Sequence, residues 1–115
     1  TYILPRLIGW QKASALMMLG DKVGAEEAER LAMIYKVLPD ENFAEESFSI
    51  AEQLSKMPTK GLALTKQMLR MSYDAAFEEQ IHDEDIFQQQ AASTDDFKEG
   101  VQAFLEKRTP VFKGE

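Results

Sequence analysis

Apolar residues along this chain recur at intervals of three and four, the period of a helix packed on one side, rather than in the strict alternation of a half-buried strand. From Trp10 to Leu19 the positions Ala13, Leu16 and Met17 fall on one side, and Gly20 stands where a left-handed C-terminal cap belongs, so a first helix is predicted there. A short second helix follows from about Ala25, with Glu26 and Glu27 in its first turn, where the positive end of the helix dipole favours them. Asn42 is placed to cap a third helix, in which Ala44, Phe48 and Ala51 make one row and Ile50, Leu54 and Met57 the next, until Pro58 stops it. Thr59 is placed to cap a fourth, with Leu62, Leu64, Met68 and Leu69 set against Lys60, Lys66, Gln67 and Arg70. A long fifth helix is predicted from Ala75 to Ala92. Its apolar points lie on different sides, Phe77 with Ile81 and Phe87 with Ala91, as expected of a helix that touches more than one neighbour. Ser93 and Asp96 have capping-box spacing before a last helix, whose Phe97, Val101, Phe104 and Leu105 form a face at i, i+4, i+7 and i+8.

Little remains for a sheet. The opening "TYILPRLIG" places the β-formers Tyr2 and Ile3 ahead of Pro5 and shows no helix cap, and "MIYKVLPDEN" supports at most an extended link of a few residues, ended by Pro39 and Asp40. The pattern therefore predicts an all-α chain of about six helices, with no internal repeat.

Composition narrows the function more than the fold. The 115 residues suffice for one modest core, and 44% hydrophobic with 29% charged residues is ordinary for a globular domain. A net charge of −7 argues against a general nucleic-acid surface, which needs Lys and Arg to neutralise phosphates. No apolar run approaches the ~20 residues of a membrane span, and no basic region precedes an apolar signal core. The absence of cysteine removes disulfides, thiolate nucleophiles and sulfur ligands, and fits a reducing compartment. His82 is the only histidine, so a histidine metal pair or a charge-oriented triad cannot be built within the chain; among Asp83, Glu84 and Asp85 it reads as part of a solvated acidic face. The six glycines are scattered, which excludes a phosphate-cradling loop. The methionines at helical spacing read as core filler. No catalytic pair and no metal site emerges. One local contrast stands out: the acidic chain closes on Lys107, Arg108 and Lys113, where compensation of a helix C-terminal dipole and recruitment of an anion are both open readings.

Two long stretches add a resemblance. "TYILPRLIGWQKASALMMLGDKVGAEEAERLAMIYKVLPDENF" is similar to the part of the crotonase superfamily, the enoyl-CoA hydratase/isomerase family, that follows its "GGT" turn, and "STDDFKEGVQAFLEKRTPVFKGE" resembles that family's ending. "YILPR", "MIYKV" and "PTKGLALTKQML" most resemble the branch that isomerises 1,2-epoxyphenylacetyl-CoA in phenylacetate degradation.

The resemblance implies a C-terminal segment of a longer, cytoplasmic enzyme, lacking the ββα spiral core that supplies the two oxyanion-hole amides and the catalytic carboxylate. Residues 1–40 then correspond to the last core-adjacent region and residues 41–115 to trimerisation helices. Loss of one oxyanion donor typically costs roughly 3 kcal/mol, so the segment alone is expected to be inactive, with no catalytic residue, no metal and no cofactor of its own. The implied partners are an acyl-CoA substrate and further copies of the chain, in a trimer or a dimer of trimers. The lysine of the family's "EKR" motif corresponds to Lys107 and is implied to approach a CoA phosphate, with Arg108 and Lys113 as weaker candidates. Phe87 stands beside Gln88, where many relatives carry an aromatic residue against adenine. Tyr2, Leu4 and Pro5 resemble residues that line the acyl pocket, with a core role as the alternative. The alternative is a free-standing helical interaction module, expected to be a non-associating monomer without affinity for CoA.

Overall fold

The computed structural model describes residues 1–115, and all of its regular secondary structure is helical: α1 (Ile3–Ile8), α2 (Trp10–Leu19), α3 (Ala25–Arg30), α4 (Phe43–Ser55), α5 (Thr59–Met71), α6 (Phe77–Ala92) and α7 (Asp95–Glu106). The chain divides into two compact units, Thr1–Glu46 and Ser47–Glu115.

In the first unit, α1 is the helix that the apolar pattern did not predict, which makes seven rather than six. Pro5 occupies its first turn, where a missing N–H removes no intrahelical bond, so the Tyr2 and Ile3 propensities for strand are overridden at little cost. Gly9, at φ 83°, both closes α1, donating to the Pro5 carbonyl at 3.0 Å, and opens α2, accepting from Ala13 at 3.1 Å. Gly20 ends α2 in the left-handed conformation, as its position predicted. α1 packs on α2, and Ala13 is the unit's one buried apolar residue. Glu27 on α3 accepts from Nε and Nη2 of Arg30, each at 2.6 Å, and lies 3.5 Å from Lys12 on α2. Residues 36–39 form no strand, and the Val37 N–H is satisfied by the Glu29 carboxylate at 3.2 Å.

In the second unit α5 packs on α6, and α6 on α7. Three helix starts differ from the pattern. Thr59 is itself helical, with Pro58 at the capping position. α6 begins at Phe77, preceded by Ala76 in extended conformation. α7 is capped by Thr94, whose Oγ1 accepts the Phe97 N–H at 3.1 Å, while the Ser93 hydroxyl turns back to the Gln90 carbonyl. The cap moves one residue along because Asp96 is engaged elsewhere.

That engagement is the tail. Residues 107–115 fold back along α7 to its start. The Asp96 carboxylate, buried at 4% exposure, accepts the Lys113 and Gly114 N–H groups at 2.7 and 2.8 Å, while the Asp96 N–H, an orphan donor of the first turn, donates to the Glu115 carbonyl oxygen at 2.9 Å. Gly114 has φ 84°, and a Cβ there would lie 2.6 Å from the Thr59 hydroxyl, so both backbone and space require glycine. Nearer the helix end, Glu99 receives Arg108 on both oxygens at 2.6 and 2.8 Å and the Val111 N–H at 2.8 Å. The Arg108 hydrogen bonds, then the Val111 N–H, hold the Glu99 carboxyl down to about 2 from its ordinary 4.5.

The apolar interior is small. Ala13, Met68 and Ala103 are the buried apolar residues, and no large side chain is fully buried. The predicted packing face of α7 stands open, with Phe97 at 50% and Phe104 at 82% exposure, and Trp10 on α2 is at 78%.

Two outcomes follow for the tail. Asp96→Ala, which leaves two N–H groups without their acceptor, should cost about 2 kcal/mol and remove the hydrogen-exchange protection of the Lys113 and Gly114 amides. Because the folded-state pKa of Glu99 is depressed, its contribution is complete above about 4.5 and is lost as pH falls through about 2. Val111 amide protection should therefore hold from neutral pH down to about 4.5 and fall away between there and about 2, and in Glu99→Gln this acid-dependent step should be absent.

Candidate functional site

The end of α7 carries the chain's distinctive local chemistry. Lys107 has φ 55° and ψ 38°, its N–H donating to the Phe104 carbonyl at 3.2 Å, and the Arg108 N–H reaches back to Ala103 at 3.0 Å. This six-residue closure normally places glycine at the left-handed position, and a lysine there gives up about 1 kcal/mol. The Lys107 ammonium is exposed and makes no ion pair with any carboxylate of the chain.

Its neighbours differ. Arg108 is committed to Glu99 by a two-pronged pair and to Glu106 through Nε at 2.6 Å, and both carboxylates push the guanidinium further toward its charged form. Lys113 forms no salt bridge, but its charge helps hold the carboxyls of Asp95 and Glu99 below their ordinary values. Of the three tail cations, Lys107 is the one whose charge the chain leaves unmatched. An exposed ammonium on a flexible stem suits a phosphate as a point charge.

Phe87 lies half-buried on α6 and, with Leu64, Met68 and Gln88, lines a groove of about 450 Å³ between α5 and α6. Gln80 projects into the same groove: its Nε2 donates to Glu84 at 3.2 Å, and its Oε1 is buried without a partner. A second groove of about 400 Å³ is apolar and lies along α7 between Phe97, Phe104 and Phe112. Lys107 lines neither groove, so Phe87 and Lys107 are not brought into one cavity.

Tyr2 and Leu4 belong to the first unit. The Arg6 guanidinium stacks 3.8 Å from the Tyr2 ring centre and donates to the Tyr2 carbonyl at 3.0 Å, covering one ring face, while Leu4 is half-buried in α1. His82 sits exposed on α6, and no group of three or more His, Asp or Glu side chains is placed to hold a metal ion.

Sequence reasoning missed the Asp96 and Glu99 clamps. Their partners lie 9 to 18 residues away, outside helical periodicity. The available signals were the unmatched carboxylates at the start of α7 and the glycine at 114.

Comparison with known proteins supplies the frame. Residues 1–115 match the family described as Enoyl-CoA hydratase/isomerase. The chain is 38% identical to the 1,2-epoxyphenylacetyl-CoA isomerase of Escherichia coli over 99% of its own length and 44% of that protein's, and 35% identical to a probable enoyl-CoA hydratase of Rhodobacter capsulatus over the same shares. The crystal structure of a putative enoyl-CoA hydratase from Streptomyces coelicolor superposes with a TM-score of 0.93 at 32% identity, covering 99% of this chain and 42% of that one. A putative enoyl-CoA hydratase/isomerase from Mycobacterium abscessus gives 0.92 at 33%, over 97% and 43%. The chain thus spans under half the length of the relatives it matches. A match along every residue, joined to close superposition of the helices, means that this chain belongs to the enoyl-CoA hydratase/isomerase family of the crotonase superfamily.

Proposed function

We propose that the chain supplies the coenzyme A-gripping and subunit-contact helices of an acyl-CoA isomerase, one that opens 1,2-epoxyphenylacetyl-CoA in phenylacetate degradation. The observation that carries the reading is Lys107: in a chain of net charge −7, one ammonium is held at a strained left-handed position with no carboxylate to meet it. Other cations, Lys60 and Lys66 among them, also lack an ion pair, but Lys107 alone joins that to a left-handed position, which a residue needed only to end the helix would leave to glycine. An anionic ligand arriving from outside accounts for both features. The nucleotide end of CoA, with its 3′-phosphate and pyrophosphate, is such a ligand.

In this reading Phe87 lies along the adenine, with Gln88 beside it, and Tyr2 and Leu4 contribute to the acyl pocket. The reacting groups belong to the rest of the enzyme. There the thioester carbonyl sits between two backbone N–H donors, which stabilise the negative charge that develops on its oxygen. These helices contribute no catalytic residue, need no cofactor beyond the CoA thioester, and are inactive alone. Their open apolar faces on α2 and α7 are covered by the remainder of the enzyme and by neighbouring subunits of a trimer or dimer of trimers. None of the helices is long and apolar enough to cross a membrane, and the enzyme is assigned to the cytoplasm.

The epoxide isomerase is favoured by the "YILPR", "MIYKV" and "PTKGLALTKQML" stretches; identity is 38% to the Escherichia coli isomerase and 35% and 37% to hydratase-named relatives, so activity must separate the two. The full-length enzyme should convert 1,2-epoxyphenylacetyl-CoA faster than it hydrates crotonyl-CoA; the reverse order selects the hydratase.

For the binding role, Lys107→Ala in the full-length enzyme should raise KM for the CoA thioester roughly tenfold and leave kcat within a factor of about two, because a remote phosphate contact is present equally in ground and transition states. An unchanged KM returns Lys107 to the helix dipole. Lys107→Gly should show the same rise in KM while gaining about 1 kcal/mol of stability, since glycine relieves the left-handed backbone.

A further inference from the structure

Lys107 stands inside a clamp made by its own neighbours. Glu106 and Arg108, immediately before and after it, pair with each other at 2.6 Å, so the chain on both sides of the lysine is tied. Arg108 is tied again to Glu99, two turns back along α7, through both of its terminal nitrogens, and Glu99 also takes the Val111 N–H three residues beyond Arg108. The left-handed turn at Lys107 is thus closed by the backbone on the inside and by the Glu99 fork on the outside. Two consequences follow from charge and geometry. The Arg108 guanidinium, the nearest competitor for an anion, is neutralised by two carboxylates. The lysine stem is left as the one side chain of the triplet that points free of the clamp.

We propose that Glu99 is a positioning residue for the phosphate contact of Lys107: by gripping Arg108 and Val111 it fixes the strained turn that presents the lysine and keeps the arginine charge off the ligand. The inference rests on the reading of Lys107 as the cation that meets the CoA nucleotide. Glu99 touches no substrate and acts through another residue, so its effect must disappear when that residue is removed. A role confined to holding the tail would weaken binding, if at all, by the same factor with or without the lysine.

A double-mutant cycle on the full-length enzyme separates the two, with the Kd for free CoA measured by titration calorimetry. Lys107→Ala should weaken CoA roughly tenfold, as expected of a lost charge-assisted contact. Glu99→Gln, which is close in shape but cannot hold the ion pair, should weaken it roughly three- to fivefold in the parent and leave it unchanged in the Lys107→Ala background. Equal factors in the two backgrounds, or no effect of Glu99→Gln in the parent, overturn the positioning role while leaving the lysine contact intact. No effect of Lys107→Ala overturns the lysine reading itself, and the positioning role with it. Should Glu99→Gln fail to fold by circular dichroism, Arg108→Met opens the same clamp from the other side. It should show the same dependence on Lys107, and a loss that does not depend on Lys107 counts against the proposal.

Discussion

The constraint that governs this chain is that its helices carry more apolar face than they can cover among themselves. Only Ala13, Met68 and Ala103 are buried as apolar residues, and two of these are alanines. Burying a Leu or Phe side chain contributes about 1.5–3 kcal/mol, and several of the largest side chains, Trp10, Phe77, Phe97 and Phe104 among them, lie half or more exposed. The amphipathic pattern is nevertheless regular, and α7 keeps an i, i+4, i+7, i+8 face that a solvated helix would not need. The packing faces are specified, and the residues of this chain do not cover them. This agrees with a chain spanning less than half the length of the family members it matches.

Against that scarcity of apolar burial, the tail is fastened by polar means. Asp96 is buried and fully used, taking two backbone N–H groups on its carboxylate and giving its own N–H to Glu115. A buried carboxylate is costly unless hydrogen-bonded, and here its partners are amides that an extended tail would otherwise leave to water. Phe112 then lies over Gly100, its ring 3.6 Å from where a Cβ would sit, so a glycine inside a helix, normally unfavourable by up to about 1 kcal/mol, is occupied by an aromatic contact. The result is a segment without secondary structure that is still anchored at both ends of α7.

How much of this the sequence disclosed divides along the range of the interaction. Helix α2 with Gly20, α3 with its acidic first turn, and the apolar face of α7 were legible because each is a local pattern within a few turns. α1 was not, because Tyr2 and Ile3 favour strand and the tolerance of a helix for proline in its first turn depends on where the helix starts. The capping-box spacing of Ser93 and Asp96 misled because the aspartate satisfies donors 17 and 18 residues away, which no periodicity encodes. Of the candidate site, the cationic ending was visible as charge, and the family resemblance singled out Lys107 over Arg108, but the physical difference between them was not visible. It arises only once Glu99 is folded against one of the two.

That difference also explains why the two cations are not interchangeable. A guanidinium is planar and presents its donors in a fixed fork, which suits the two oxygens of Glu99 and the further oxygen of Glu106, and it stays charged throughout. An ammonium is a compact charge that a ligand can approach from many directions, at the cost of side-chain freedom on binding. Exchanging the two would place a forked donor at the left-handed turn, where no carboxylate stands opposite it, and a point charge in a clamp built for two parallel hydrogen bonds. The order Glu-Lys-Arg at 106 to 108 therefore divides by geometry, with the outer pair closing the turn and the lysine between them left without a carboxylate.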